Sequence, residues 1–328
     1  MAPTRRGMML AAAAGGGTLA GGRRSASAQS WPAARPIRLI VPFAPGGTTD
    51  ILGRLAAEGI GQRIGQTVLV ENLSGATGNI GAAAAVRAAP DGYTLLIGTP
   101  GPLAANRFLH RSMPFDPDKA FVPVGLIAMV PNVVMVRRDS PFRSLADLIA
   151  ALRARPGELR YGDPGVGSTG HLTTELLLAA VGARAIHASY RGSQPMLNDL
   201  VAGSFDFSTD QLTPALGLVQ SGTVRPLAVS MPERSPLIPE VPTFKELGIP
   251  IEVSVWFSIV APAGVPEPVI ARVNAALNAT LATPEVRARL ASLAATPAGG
   301  APEDLRRVIA QEVEYTRRAV QIANLRPE

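Results

Sequence analysis

The chain has 328 residues, 47% of them hydrophobic and 17% charged, with a formal net charge of +6 and no cysteine. That length and apolar content exclude a disordered polymer and leave room for two domains with sizeable cores. The absence of cysteine excludes a disulfide framework, a thiolate metal site and a cysteine nucleophile.

Residues 1–28 read as an export signal. Arg5 and Arg6 lead an apolar stretch from Met8 to Ala20, and Ala26-Ser27-Ala28 supplies a small-residue cleavage site. Thr4-Arg5-Arg6-Gly7-Met8-Met9-Leu10 resembles a twin-arginine signal; an ordinary secretory signal is the alternative. Removal takes Arg5, Arg6, Arg23 and Arg24 but no acid, so the formal charge drops from +6 to +2. The mature chain then has no basic stripe with interleaved aromatics, and nucleic acid is not an expected partner. No mature segment approaches the roughly 18 uninterrupted apolar residues of a membrane span. An exported chain without cysteine suits a bacterial periplasm.

Short β-type runs then alternate with helical stretches. Strands are expected at 37–43, 67–71, 94–98, 133–137, 159–161, 185–189, 205–208 and 225–229. Helices are expected at 49–63, 80–88, 144–154, 171–180 and 194–201. This alternation predicts an α/β fold with mostly parallel sheets flanked by helices. Phe121–Val136, interrupted by Pro123 and Pro131, and Val253–Pro262 read as crossovers between two lobes. Lobe 1 is expected at 29–128 plus 254–328, and lobe 2 at 129–253. The last stretch reads as three helices, at 267–281, 284–293 and 302–320.

Two glycine-rich turns open helices, one in each lobe: Pro45-Gly46-Gly47-Thr48-Thr49-Asp50 and Gly165-Val166-Gly167-Ser168-Thr169-Gly170-His171. A helix start carries unpaired N–H groups and partial positive charge, which suits an anion. Two such cradles predict a small anion held between lobes. Ligands of open parallel sheets bind beyond the carboxyl ends of the strands. That puts Phe43 to Thr48, Thr77-Gly78 and Thr99 to Gly101 on one rim, and Tyr190-Arg191-Gly192 and Asp210 on the other.

Gly165–Gly170 also fits the pattern of dinucleotide folds. The acid expected about 20 residues on is missing, with Tyr190-Arg191 there instead, so no nucleotide cofactor is expected. Ser168, His171 and Asp210 supply the residue types of a serine hydrolase, but no G-x-S-x-G elbow surrounds Ser168. Ser168 reads better as a helix cap or ligand contact, and His171 as a buttress or a ligand contact. His110, His171 and His187 show no metal-binding spacing. Arg191 either clamps a carboxylate or solvates a loop. Asp210 would repel a dicarboxylate unless paired; it could instead accept a hydrogen bond from the ligand or fix the loop of Tyr190.

From about Pro36 to Val320 the chain resembles the Bug-type solute receptors of tripartite tricarboxylate transporters. The resemblance rests on Val41-Pro42-Phe43-Ala44-Pro45-Gly46-Gly47 with Asp50, Val70-Glu71-Asn72, and Gly75-Ala76-Thr77-Gly78-Asn79-Ile80-Gly81. It continues in Pro90-Asp91-Gly92-Tyr93-Thr94-Leu95, Gly165-Val166-Gly167-Ser168 with His171-Leu172, Tyr190-Arg191-Gly192, and Ala261-Pro262-Ala263-Gly264. It implies a two-lobed periplasmic binding protein, type II-like, that acts as a monomer without catalytic activity. Such a receptor closes on a small carboxylate (an organic, aromatic or amino acid) and presents it to membrane permease subunits. A receptor that signals to a sensor partner is the alternative, since both would use the same closed surface.

The resemblance further implies ligand contacts from Phe43, Ala44, Gly46, Gly47, Thr48, Asp50, Thr77, Gly78, Thr99 and Gly101 in lobe 1. Gly167, Ser168, Thr169, His171, Tyr190, Arg191 and Asp210 would contribute from lobe 2, with Phe43 and Tyr190 as aromatic walls. Departures from the family pattern are Arg191, where lysine is usual before the glycine, Phe205-Asp206-Phe207, and Ala120 before Phe121.

Overall fold

The structure, a computed structural model, describes residues 31–251, 253–322, 325 and 327. The expected export signal, Met1–Ala28, lies outside the described residues.

The chain opens with β1 (Ile37–Val41), α1 (Thr48–Ile64), β2 (Val68–Asn72), a single tight turn at Ala76–Gly78, α2 (Asn79–Val86) and β3 (Thr94–Gly98). A π-turn, Gly101–Ala105, leads into the short helices α3 (Asn106–Leu109) and α4 (Pro117–Ala120), and then into a long strand, β4 (Phe121–Arg137). There follow α5 (Leu145–Ala154), β5 (Arg160–Asp163), α6 (Thr169–Val181), β6 (Ile186–Ser189), α7 (Ser193–Ala202), β7 (Phe207–Gln211), α8 (Leu212–Gln220) and β8 (Val224–Val229). The chain returns through β9 (Ser254–Pro262), α9 (Glu267–Leu281), α10 (Pro284–Ala291), β10 (Thr296–Gly299) and α11 (Pro302–Ile322).

The strands run β2-β1-β3-β9-β4-β7-β5-β6, with β8 and β10 also pairing β4. The sheet is mixed rather than mostly parallel. β2-β1-β3 and β6-β5-β7 are parallel triplets, whereas every pairing of β9 and β4 is antiparallel. The reason lies in the two crossovers, which are strands themselves. β4 runs 17 residues through both halves, pairing β9 and β10 along its first part and β7 and β8 along its second. Its Pro123 lacks an N–H and falls where the ladder with β9 shifts register, so the proline interrupts pairing without ending the strand.

Each half has its own apolar core. One packs Leu39, Leu52, Ile60, Phe257 and Leu277 between the sheet and α1 and α9; the other packs Val134, Leu148, Tyr161, Leu177 and Phe207 against α5 and α6. α11 belongs to neither half alone. Leu305 packs with Trp256 in the first half, whereas Ala319 and Tyr315 pack into the core of the second. β10 and α8 escape sequence reading: Thr296-Pro297-Ala298-Gly299 lacks alternation, and α8 carries Pro214 in its first turn. No described helix is long and apolar enough to cross a membrane.

Candidate functional site

The turn after β1 shapes the first helix start. Gly46 takes φ +86°, open to glycine and costly for other residues, and Gly47 is the N-cap of α1. Asp50, buried on the first turn, accepts the Gly46 N–H (3.0 Å) and the Asn72 amide (2.9 Å), and pairs with Arg54 at 3.0 Å. Burial alone would raise its pKa. Arg54, the Gly46 N–H and Asn72 outweigh that and hold the carboxyl below its ordinary value. Asp50 is therefore a strut that braces the turn, and the Gly46 N–H points back at it. The first-turn N–H groups of Thr48 and Thr49 have no acceptor within the helix. Thr48 Oγ1 is buried without a hydrogen-bond partner.

Beside this turn, Gly78 lies under the Phe43 ring, with only 3.3 Å between a hypothetical Cβ and the ring edge. Thr77 holds a left-handed conformation (φ 48°, ψ 43°), rare for a β-branched residue. Its hydroxyl donates to the Val166 carbonyl in the opposite half at 2.7 Å. Its own carbonyl accepts from Asn106 Nδ2 (3.0 Å), which also reaches Asn79 Oδ1 (2.8 Å). Both acceptors fix the orientation of the wholly buried Asn106 amide, so its unpartnered Oδ1 faces the Gly101 and Gly167 backbones. Thr99 Oγ1 is likewise buried and unpartnered. An unsatisfied buried oxygen costs about 1–3 kcal/mol, so Thr48, Thr99 and Asn106 mark places where a ligand atom or ordered water belongs.

The opposite rim is built on α6. Ser168 caps it, its Oγ accepting the His171 N–H at 3.1 Å, which leaves the hydroxyl proton available to a ligand. The Gly167 N–H donates to His171 Nδ1 (3.1 Å), and the Gly165 N–H to Asp163 Oδ1 (2.7 Å). Thr169 leans its hydroxyl toward Asn132 Oδ1 at 3.4 Å. Gly170 seats the helix on β7: a Cβ there would fall 2.2 Å from the Thr209 carbonyl oxygen. The Ser168–His171 geometry is that of a helix cap, since His171 Nδ1 already holds a backbone N–H. Asp210 does not complete a triad: its Oδ1 takes the Gln211 N–H (2.7 Å), and its buried Oδ2 makes no hydrogen bond to His171.

Tyr190, Arg191 and Asp210 complete the expected contacts of this rim. Tyr190 donates its hydroxyl to Asp199 (2.8 Å) and packs its ring on Phe205, so it is turned toward α7. Burial, then Asp199, pushes its hydroxyl up to about 12. Arg191 is exposed. Asp210 is fully buried; burial, with the Asp163 charge adding to it, lifts its carboxyl to about 7 against bonds from Ser193 and Gln211. Two concavities, of 450 Å³ between α1 and β2 and 420 Å³ beside α11, include no residue of the glycine-rich turns that open α1 and α6.

A model of the "Tripartite tricarboxylate transporter family receptor" matches residues 52–325. The chain belongs to this receptor family. It is 38% identical over 290 residues to protein BugT of Bordetella pertussis, a match covering 88% of this chain and 89% of that protein. Among solved structures, Rpa4515 of R. palustris with adipate superposes with a TM-score of 0.87 at 40% identity, over 91% of this chain and all of the other. MatC of Rhodopseudomonas palustris with bound malate gives 0.82 at 32% identity, over 88% of this chain and 99% of the other. The fold is thus that of a periplasmic solute-binding receptor, as the sequence landmarks imply.

Among the described residues of this receptor one cluster has the residue types of a metal centre: ligating atoms of Asp163, His171 and His187 all lie within 4.8 Å of one another. The atoms already engage one another or the backbone. His187 Nε2 bonds Asp163 Oδ2, His171 Nδ1 receives Gly167, and the two rings stack nearly parallel (11°), so their lone pairs do not converge on one point. Sequence reading missed Asn106, Asn132 and Asp163, and took Asn72 only as part of the Val70-Glu71-Asn72 landmark, without its bond to Asp50. Asn106 and Asn132 are lone asparagines without a motif, and Asp163 sits at a strand end where an acid is unremarkable.

Proposed function

We propose that this receptor, exported by the signal at Met1–Ala28, captures a small carboxylate between lobe 1 (29–128 plus 254–328) and lobe 2 (129–253) and delivers it as a monomer to the permease subunits of a tripartite tricarboxylate transporter, without catalytic activity. One observation carries the reading: the Thr77 hydroxyl of the turn after β2 bonds the Val166 carbonyl in the turn that opens α6, joining the two expected rims, and the Thr48, Thr99 and Asn106 oxygens of the first rim are buried without hydrogen-bond partners. The carboxylate takes the N–H groups at Gly47, Thr48, Thr49 and Thr169 and the Ser168 hydroxyl, in line with the adipate and malate held by two of the related structures. Phe43 and Gly78 wall the cleft from lobe 1. Helix dipoles and hydroxyls replace a cationic clamp, and the unpartnered oxygens are suited to bridging waters.

Thermal unfolding of the refolded mature protein against mono-, di- and tricarboxylates, aromatic acids and amino acids tests this. A ligand at about 100 times its Kd adds about 2.7 kcal/mol, a rise of several degrees at this size. A shift confined to a few acids supports the reading; no shift with any of them removes the carboxylate assignment.

A further inference from the structure

The Gly165-Val166-Gly167 turn is pinned from behind at both ends. The Gly165 N–H is held by Asp163 Oδ1 and the Gly167 N–H by His171 Nδ1, and between them the Val166 carbonyl receives Thr77 from the other half. His187 ties the two pins together. Its Nε2 bonds Asp163 Oδ2, and its ring is sandwiched between Tyr161 (centroids 4.9 Å apart, 15°) and His171 (4.5 Å, 11°). Asp163 is wholly buried and His171 is 6% exposed.

We infer that His171 is a positioning residue for lobe closure. With Nδ1 unprotonated it holds the Gly167 turn so that the Val166 carbonyl meets Thr77; protonation at Nδ1 releases the turn and weakens carboxylate binding. The inference rests on the proposed carboxylate cleft. An imidazole nitrogen accepts a hydrogen bond only through its lone pair, and imidazolium has two donors and no acceptor. Protonated His171 would set an N–H against the Gly167 N–H. Histidine is the side chain that makes this change between pH 5 and 8.

The groups packed around His171 sharpen the effect. From β6 comes His187 and from β5 Asp163 and Tyr161, while β7 carries Asp210, whose carboxyl the Asp163 charge helps to raise. On α6 itself Glu175 bonds the Tyr161 hydroxyl, and β4 contributes only the neutral Asn132. The neighbouring helix α11 carries Glu312, Tyr315 and Arg317, of which Glu312 bonds Trp256 and Arg317 bonds Glu314. Asp163 bonds His187 Nε2 and also lies within 4.8 Å of a His171 ring nitrogen, so two stacked imidazoles share one carboxylate. The two imidazoles therefore titrate as a coupled pair. Closure selects the state with neutral His171, so ligand binding releases a proton on the acid side, and affinity there falls up to tenfold per pH unit.

Two measurements test this. The first is calorimetric titration with adipate and with malate between pH 6 and 8, on wild type and on His171→Asn, whose amide can accept from Gly167 without titrating. Wild-type affinity falling on acidification, with the variant flat whatever its absolute affinity, supports the inference. A flat wild type, or a variant with the same slope, overturns it. The second needs no ligand: ring-nitrogen NMR of His171 with the Gly167 amide resonance. An unprotonated Nδ1 at pH 7.5, with the Gly167 amide shifting as His171 titrates, supports the clamp. A protonated Nδ1, or a Gly167 amide indifferent to that titration, overturns it. If neither acid binds at any pH, the calorimetry counts against the carboxylate reading, and the NMR result still decides the clamp.

Discussion

The Thr77 hydroxyl donates to the carbonyl of Val166, 89 residues further along the chain, at 2.7 Å. The bond ties the turn after β2 to the turn before α6, and so joins the rims on which the two helix starts sit. It has apolar company: Leu109 and Ala105 pack with Leu172 of α6 and Val320 of α11. A contact of this kind is complete only when the halves approach, so it adds to the closed state in which a ligand touches both.

Replacing Thr77 with Ala removes the hydroxyl and keeps the backbone conformation. A net hydrogen bond is worth about 0.5–1.5 kcal/mol, so carboxylate affinity should fall about 3–10-fold, with little change in the unfolding midpoint of the ligand-free protein. Calorimetry paired with urea unfolding separates the two effects. Equal loss in both would make Thr77 a fold residue alone.

Gly47 and Gly170 give opposite outcomes. Gly47 has ordinary backbone angles, and an added Cβ meets nothing nearer than the Ala44 oxygen at 3.9 Å. Gly47→Ala should fold like wild type and bind a carboxylate at least tenfold more weakly, because the methyl occupies the anion's approach to α1. Gly170→Ala drives a methyl into the Thr209 carbonyl and should cost about 2–4 kcal/mol of stability or more. Circular-dichroism melts of both variants decide the comparison.

Asp50→Asn should lower stability by roughly 1–3 kcal/mol at pH 7, since it breaks the Arg54 pair and weakens the brace on Gly46. The native pKa of Asp50 is depressed, so its contribution is present above the unfolded value near 4 and fades as pH falls through the lower native value. Denaturant midpoints should therefore converge for wild type and variant on acidification below about pH 4. A gap that persists there would show that charge is not the cause.

Asp210 has the opposite sign. Its native value is raised to about 7, so the folded state favours the protonated form. Wild-type stability should fall as pH rises from about 4 to about 7, by up to about 1.4 kcal/mol per unit, and level off above that. Asp210→Asn lacks this loss, so it should be neutral near pH 4 and more stable than wild type at pH 8. Urea unfolding across that range checks it; a variant less stable at pH 8 would show that the ionised carboxylate is needed.

Helix starts, turn glycines and strand runs were legible because they depend on neighbours in sequence. Ser144, expected to open a helix, makes a full capping box with Asp147, and α9 spans Glu267–Leu281 as the pattern predicts. The turns that open α1 and α6 were visible as glycine-rich stretches before helical periodicity. The mixed sheet was not legible. Phe121–Arg137 reads as an interrupted apolar run, and only its partners β9, β10, β7 and β8 make it one strand.

By itself the sequence determined the alternating α/β elements, the glycine-rich helix starts, and the family landmarks that name the receptor class, all set by local backbone chemistry. The tertiary structure decided which groups at those starts remain available. The Gly46 N–H is held by Asp50 and the Gly167 N–H by His171, while the oxygens of Thr48, Thr99 and Asn106 are left buried without partners. It also brought together Asp163, His171 and His187, the histidines lying 8 and 24 residues beyond the aspartate, because parallel strands place distant residues side by side. Hydrogen-bond commitment is a property of packing, since a donor is free or engaged only with respect to what the fold sets beside it.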